Sequence, residues 1–206
     1  MKDSFGREIS YMRISVTDRC NLRCRYCMPE EGVENIGHEN ILSFEEIERI
    51  VRAAAELGIT KYRLTGGEPL ARKGIVSLVE KIAFIEGVRE LAMTTNGTML
   101  AQYAEALKRA GLQRVNISID SLDPRKFEEI TRGGDLDMTV KGIDAALKHG
   151  LTPLKLNVVA IRGFNDDEIT QFARLTIDRP ISIRFIELMP VGQVSKENGY
   201  RYISSG

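Results

Sequence analysis

Strand-like and helix-like periodicities alternate along this 206-residue chain, and that alternation limits its fold more than any other feature. Short runs rich in apolar and β-branched residues read as strands at 9–16, 62–64, 91–94, 115–119, 154–161 and 181–188. Helical patterns fall between them. Ser43 can cap a helix, with Glu46 three residues on to complete a capping box. Phe44, Ile47, Ile50, Val51, Ala54 and Leu57 then share one face, and Gly58 ends the segment. Further helices are predicted at 75–85, 100–109, 125–130, 140–148 and 167–176, with Gly111 and Gly150 stopping two of them. Strands separated by helices imply parallel pairing through right-handed crossovers. Five crossovers in series suit an open doubly wound sheet or a partial barrel.

Polar residues gather at the predicted strand C-termini: Thr65-Gly-Gly-Glu, Thr94-Thr-Asn-Gly, Ser118 to Asp120, and Glu187. Barrel enzymes place their sites there. Neither a G-x-G-x-x-G fingerprint nor a P-loop occurs, so the usual Rossmann and Walker phosphate sites are missing. The expected fold is α/β, a partial (β/α)6 TIM-like barrel of parallel strands over residues 1–190. Residues 191–206, rich in Gly, Ser, Asn and Lys, are expected to begin a further region. Lys+Arg and Asp+Glu both number 29, and that balance argues against broad nucleic-acid or anionic-membrane binding. No apolar run approaches the roughly 20 residues of a membrane span, and the N-terminus lacks the apolar core of a signal peptide. The expected compartment is the cytoplasm.

All three cysteines lie in one octapeptide, Cys20-Asn-Leu-Arg-Cys24-Arg-Tyr-Cys27. An odd count without an export segment argues against a disulfide. Three thiolates on one loop can hold a cubic iron–sulfur cluster with one iron left open. Tetrahedral zinc is the rival and would need His38 or His149 as a fourth ligand. Arg19, Arg23 and Arg25 surround the loop, either to offset thiolate charge or as solvated surface. Tyr26 can shield a ligand or simply pack.

Gly66 and Gly67 allow close approach to the backbone, so an amino-acid zwitterion could bind there with Glu68 against its ammonium; a tight turn closed by Pro69 is the alternative. Arg13, Arg63, Lys155 and Arg184 sit on different strands. Pointing inward, they would suit a polyanion such as a triphosphate; pointing outward, they would be ordinary surface charges. Asp120 and Asn157 could bond ribose hydroxyls, and Met189-Pro190 could flank an adenine.

These motifs together resemble the radical S-adenosylmethionine (SAM) superfamily: Cys-x-x-x-Cys-x-x-Cys after the first strand and Gly-Gly-Glu-Pro after the second. The longer runs Arg13-Ile-Ser-Val-Thr-Asp-Arg-Cys, Arg63-Leu-Thr-Gly-Gly-Glu-Pro, Thr94-Thr-Asn-Gly, Asn116-Ile-Ser-Ile-Asp-Ser-Leu, Lys155-Leu-Asn-Val-Val and Arg184-Phe-Ile-Glu-Leu-Met-Pro are similar to its GTP 3′,8-cyclase family, which opens molybdenum cofactor biosynthesis. The resemblance implies that Cys20, Cys24 and Cys27 ligate a [4Fe-4S] cluster whose open iron takes SAM. It implies that Tyr26, Gly67, Ser118 and Met189 contact SAM, and that Arg13, Arg63, Thr94 and Lys155 contact GTP. A SAM-derived radical would take hydrogen from C3′ of GTP, and C3′ would attack C8 to give the 3′,8-cyclised nucleotide. The implied partners are a reducing electron donor, the next enzyme of the pathway (cyclic pyranopterin monophosphate synthase) and a second copy in a homodimer. The family continues past this chain's C-terminus with three more cysteines and a second cluster, so this sequence is expected to be its N-terminal barrel portion. A radical SAM enzyme acting on another substrate such as a peptide, and a non-catalytic metal-bound scaffold, are the alternatives.

Overall fold

The computed structural model describes residues 2–33, 40–189 and 202–203. His38, Pro190 and most of the expected C-terminal region lie outside the described residues. Among those described, strands β1 (Tyr11–Ser15), β2 (Lys61–Thr65), β3 (Glu90–Thr95), β4 (Arg114–Ser118), β5 (Leu154–Ala160) and β6 (Ile181–Glu187) form one sheet in the order β1-β2-β3-β4-β5-β6. Every neighbouring pair is parallel. The crossovers carry α1 (Phe44–Glu56), α2 (Ile75–Ala83), α3 (Leu100–Arg109), α4 (Pro124–Thr131), α5 (Leu136–Lys148) and α6 (Ile169–Asp178). The first and last strands do not pair with each other, so the expected partial barrel is open along one side. None of the described helices is long and apolar enough to cross a membrane.

Alternation along the strands separates two environments. Ile14, Tyr62, Leu64, Leu91, Met93, Val115, Ile117, Leu154 and Leu156 face the helices and pack with Ile47, Val51, Leu78, Ile82, Leu107 and Phe172 into the main core. The intervening residues, among them Arg13, Arg63, Thr94, Asn116 and Lys155, face the concave side. A closed barrel fills its interior with branched apolar side chains. This one keeps its core between sheet and helices and leaves the interior polar.

Local chemistry sets the helix boundaries. The capping box at α1 forms as expected: Glu46 N donates to Ser43 Oγ at 3.1 Å and Ser43 N donates to Glu46 Oε2 at 2.7 Å. Asp123 caps α4 through Arg125 N and Lys126 N, with Pro124 in the first turn. Helix α5 starts at Leu136, four residues before the expected 140, because Asp135 caps it through Asp137 N. Its buried face runs Leu136, Thr139, Gly142, Ile143 and Ala146. Thr139 and Gly142 interrupt the apolar stripe, which hid the first turn in the sequence.

Gly142 has a packing reason. A Cβ at this position would lie 2.3 Å from the Gly97 carbonyl oxygen, so α5 presses directly on the turn that follows β3. Alanine normally stabilises a helix interior over glycine by up to about 1 kcal/mol. Here we expect the reverse. Gly142→Ala should destabilise the fold by about 1–3 kcal/mol through overpacking, measured as a lower denaturation midpoint with unchanged slope. An unchanged or higher midpoint would contradict this contact.

Candidate functional site

The cysteine loop leaves β1 at the C-terminal face of the sheet and docks on the end of α4. Arg23 N and Arg25 N donate to the carbonyls of Thr131 and Ile130 at 3.0 and 2.9 Å, satisfying helix-end acceptors that would otherwise be orphaned. Arg132, in a left-handed conformation at φ 55°, donates through Nη1 to the carbonyls of Arg23 and Met28. Leu22 and Met28 bury their side chains beneath the loop. Arg23 donates through Nη1 to the carbonyls of Cys20 and Leu22, and Arg25 pairs with Glu129. These two arginines brace the loop, a role that neither reading from sequence contained.

The glycine pair sits against the root of the loop. Gly67 N donates to Thr17 O at 2.7 Å and Glu68 N to Arg19 O at 2.8 Å. A Cβ on Gly66 would lie 2.3 Å from Thr17 O, and one on Gly67 would lie 2.2 Å from Arg19 O. Close backbone approach is therefore needed here, and the approaching backbone is that of residues 17–19. Glu68 turns inward, only 1% exposed. Its carboxylate accepts from Leu70 N at 3.0 Å, Thr95 Oγ1 at 2.7 Å and Asn96 N at 2.7 Å. Burial pushes its pKa up, and the three donors oppose that shift. The carboxylate expected to face an ammonium is engaged by three donors in this internal clasp. The segment Pro69–Ala71 is a 3₁₀ turn, close to the turn reading of this motif.

The turn after β3 reaches the cysteines. Asn96 Oδ1 accepts from Thr98 N at 3.0 Å and from Thr98 Oγ1 at 2.7 Å. Asn96 Nδ2 faces Asn21 Oδ1 at 2.9 Å and Cys20 Sγ at 3.8 Å. Asn21 Nδ2 donates to Thr98 Oγ1 at 2.9 Å and closes the ring. Asn96 is a site residue that sequence reading quoted only as part of a motif, without a role.

Cys20 and Cys24 are partly buried, Cys27 is exposed, and none forms a disulfide. Burial raises the Cys24 pKa, helped by the charges of Asp120, Cys27 and Cys20. Burial followed by Cys20 and Asp120 raises that of Cys27, and burial raises that of Cys20 against the Leu22 N–H. Three thiols whose thiolates would repel one another suit a cationic group that deprotonates them. No three Cys, His, Asp or Glu side chains among the described residues are grouped to hold a single ion. Tetrahedral zinc, with Zn–S of about 2.3 Å, would draw its sulfurs to about 3.8 Å from one another. His149 is at the C-cap of α5, at the opposite face of the sheet from the loop. The donor set fits a multinuclear iron–sulfur cluster, in which each thiolate takes its own iron.

Tyr26 donates through Oη to Asp120 Oδ2 at 2.6 Å, and its ring packs on the small cluster of Ile130, Ile161 and Leu188. Asp120 also accepts from Val159 N at 2.8 Å. Burial pushes the Asp120 carboxyl up to about 6, against the hydrogen bonds from Tyr26 and Val159. Both carboxylate oxygens thus have internal donors, and Asp120 anchors Tyr26. Ser118 ends β4 beside Asn157 of β5, and Met189, 63% exposed, follows β6. Gly67, Ser118 and Met189 therefore share the C-terminal face with the loop that carries Tyr26.

Below this face opens a cavity of about 740 Å³. Arg13, Arg63, Thr94, Lys155, Asn157 and Arg184, all singled out in the sequence, line it together. Tyr11, Arg114 and Asn116 also line it and were missed, although each falls on the same alternation. Arg13 and Arg63 stand opposite one another in register, as do Asn116 and Lys155. Arg63, 7% exposed, donates through Nε to Tyr11 Oη at 2.8 Å and through Nη1 to Thr94 Oγ1 at 3.2 Å. Arg114 is ion-paired with Glu90. Among the described residues no Asp or Glu lines the cavity itself. Burial and then Arg184, Arg114 and Arg63 push the Lys155 pKa down, while burial, Arg63 and Arg184 do the same for Arg114. Asn116 is buried and its Oδ1 has no hydrogen-bond partner.

The radical SAM superfamily profile matches residues 14–176. The chain is 58% identical over 205 residues to the GTP 3′,8-cyclase of Alkaliphilus metalliredigens (strain QYMF), covering 100% of this chain and 64% of that protein. The GTP 3′,8-cyclase of Alkaliphilus oremlandii (strain OhILAs) matches at the same identity and coverage. The chain thus spans just under two thirds of the length of the curated relatives it matches. Among solved structures, Streptococcus suis SuiB bound to its precursor peptide SuiA superposes with a TM-score of 0.71 at 18% identity, over 91% of this chain and 41% of SuiB. That likeness concerns the fold alone. From its profile match, its parallel sheet and its cysteine loop, the chain belongs to the radical SAM superfamily.

Proposed function

We propose that this chain is the radical-initiating and triphosphate-binding portion of a GTP 3′,8-cyclase, acting in the first step of molybdenum cofactor biosynthesis. The observation that carries the proposal is the basic cavity. Five cationic side chains converge on about 740 Å³, and among the described residues no carboxylate lines it. Like charges held side by side on neighbouring strands are costly without a counter-ion. A triphosphate supplies that counter-charge in a single ligand, and arginine forks match its oxygens. The relatives named as GTP 3′,8-cyclases support the choice of nucleotide.

In this reading Arg13, Arg63 and Lys155 hold the triphosphate, with Thr94 bonded to Arg63 and facing the same space. Arg114, tethered by Glu90, and Arg184, on the open edge strand, extend the charged wall. Cys20, Cys24 and Cys27 are the cluster ligands, and Tyr26, Gly67, Ser118 and Met189 surround SAM at the strand ends. A cluster held by Cys20, Cys24 and Cys27 would supply the single-electron chemistry that SAM cleavage and hydrogen abstraction from the ribose require. The polar interior lets the nucleotide lie end-on, with phosphates deep among the arginines and ribose toward the loop. The residue range 1–190 is the barrel. The proposed setting is cytoplasmic, with a low-potential electron donor, cyclic pyranopterin monophosphate synthase as the next enzyme, and a homodimeric assembly.

Two outcomes test this reading. Arg63→Ala should weaken GTP binding by about tenfold to a hundredfold, the loss of one or two charge-assisted hydrogen bonds, and should flatten the dependence of affinity on salt. An anaerobic binding titration at several salt concentrations reads both, and an unchanged Kd would remove the triphosphate assignment. Separately, anaerobic reconstitution should load about four irons with matching sulfide per chain, whereas Cys24→Ala should load almost none. One zinc per chain in place of iron would refute the cluster.

A further inference from the structure

Asn96 is a polar side chain at the cysteine loop whose orientation is fixed without ambiguity. An asparagine amide can ordinarily be turned over, because its oxygen and nitrogen look alike. Here Thr98 N lies 3.0 Å from Asn96 Oδ1, and a backbone N–H can only donate. The atom facing it is therefore the oxygen, and the amide nitrogen must point the other way. That nitrogen has two hydrogens. One is directed to Asn21 Oδ1 at 2.9 Å and the other to Cys20 Sγ at 3.8 Å. The Thr98 hydroxyl, held by Asn21 Nδ2 at 2.9 Å, donates to Asn96 Oδ1 at 2.7 Å and completes a closed ring of donors and acceptors.

The backbone of Asn96 is pinned as firmly as its side chain. Asn96 N donates to Glu68 Oε2 at 2.7 Å, and Asn96 O accepts from Thr139 Oγ1 at 3.2 Å. Close packing of Gly142 on Gly97 fixes the turn from the α5 side. A surface asparagine that merely filled space would not need contacts from the turn after β2, its own turn, α5 and the cysteine loop. The sulfur at the end of this network also accepts from its own loop, Leu22 N at 3.4 Å.

We infer that Asn96 is a positioning residue that sets the reduction potential of the cluster by donating a hydrogen bond from Nδ2 to the Cys20 thiolate. The inference rests on the cysteine loop being the cluster site. A donor on a ligating sulfur withdraws electron density from the iron and favours the more negative, reduced state. It thereby eases uptake of the single electron from the external reductant. The ring through Thr98 and Asn21 holds that donor in place. The clasp of Glu68 on Asn96 N links the glycine-rich turn to the same sulfur, so the two motifs share one hydrogen-bonded chain.

The test is a redox titration of the reconstituted chain followed by electron paramagnetic resonance. Asn96→Ala should shift the midpoint to a more negative potential while iron and sulfide per chain stay at the wild-type level. Asn96→Asp, which replaces the donor by an anion, should shift it further in the same direction. Equal midpoints in wild type and Asn96→Ala, with the cluster intact, would overturn the inference. Should the variants fail to hold a cluster, the wild type decides the question. With asparagine labelled with 15N at the side-chain amide, pulsed resonance of the reduced cluster should show a weak 15N coupling that the Leu22 N–H cannot supply, and its absence would overturn the inference. A wild-type chain that assembles no cluster would refute the cluster site itself, a failure visible in its iron content before any potential is read.

Discussion

The buried carboxylate of Glu68 organises the end of the sheet. It is almost sealed from water, and it stays there because three donors from two different segments converge on it. Hydrogen bonds to a charged group contribute about 1.5–3 kcal/mol each, and a buried carboxylate stripped of them would be strongly destabilising. Satisfying Glu68 requires the 3₁₀ turn at Pro69 on one side and the Thr95–Asn96 turn on the other. The glycine pair just before it must then lie flat against Thr17 and Arg19, because any side chain would collide with their backbone. The root of the cysteine loop, the end of β2 and the end of β3 are thus one unit, with Asn96 as its projection toward sulfur.

A second constraint follows from where the core lies. Helices cover only the outer face of the sheet, and nearly all of the large buried apolar side chains lie between the two. The concave face contributes little apolar burial, and its arginines repel one another. Folding tolerates that repulsion because the outer interface supplies the stabilisation, because Arg13 and Arg184 are exposed on the two unpaired strands, and because buried Arg63 is bonded to Tyr11 and Thr94. The same wet opening gives a highly charged ligand a route inward. Architecture and electrostatics therefore point to the same conclusion about the cavity.

Much of this was legible in the sequence, and the reasons for the gaps are physical. All six strands and six helices follow from periodicity and caps, since Ser43, Gly58, Gly111 and Gly150 mark ends by local chemistry. Period-two alternation leaves open whether Arg13, Arg63, Lys155 and Arg184 face inward or outward, and the structure gathers them around one space. The first turn of α5 was hidden because its buried face uses threonine and glycine. Glu68 and Asp120 were read as ligand contacts because an acidic residue at a strand end looks available. Only three-dimensional packing reveals that they already accept internal donors, from Leu70, Thr95 and Asn96 in one case and from Tyr26 and Val159 in the other. Arg23 and Arg132 were opaque for a similar reason, since their partners are loop carbonyls that sequence does not display.

The two faces of the strands also differ in how freely they can change over evolutionary time. An outward position such as Leu64 or Val115 is locked by close packing, so its substitution is screened by folding itself. An inward position such as Lys155 or Asn157 borders open space and is screened mainly by what the cavity must hold. Drift on the concave wall of β4, β5 and β6 could reshape the molecule that is accepted without disturbing the clasped unit at β1, β2 and β3. A lineage built on this chassis could diversify its substrates while inheriting an unaltered ignition end.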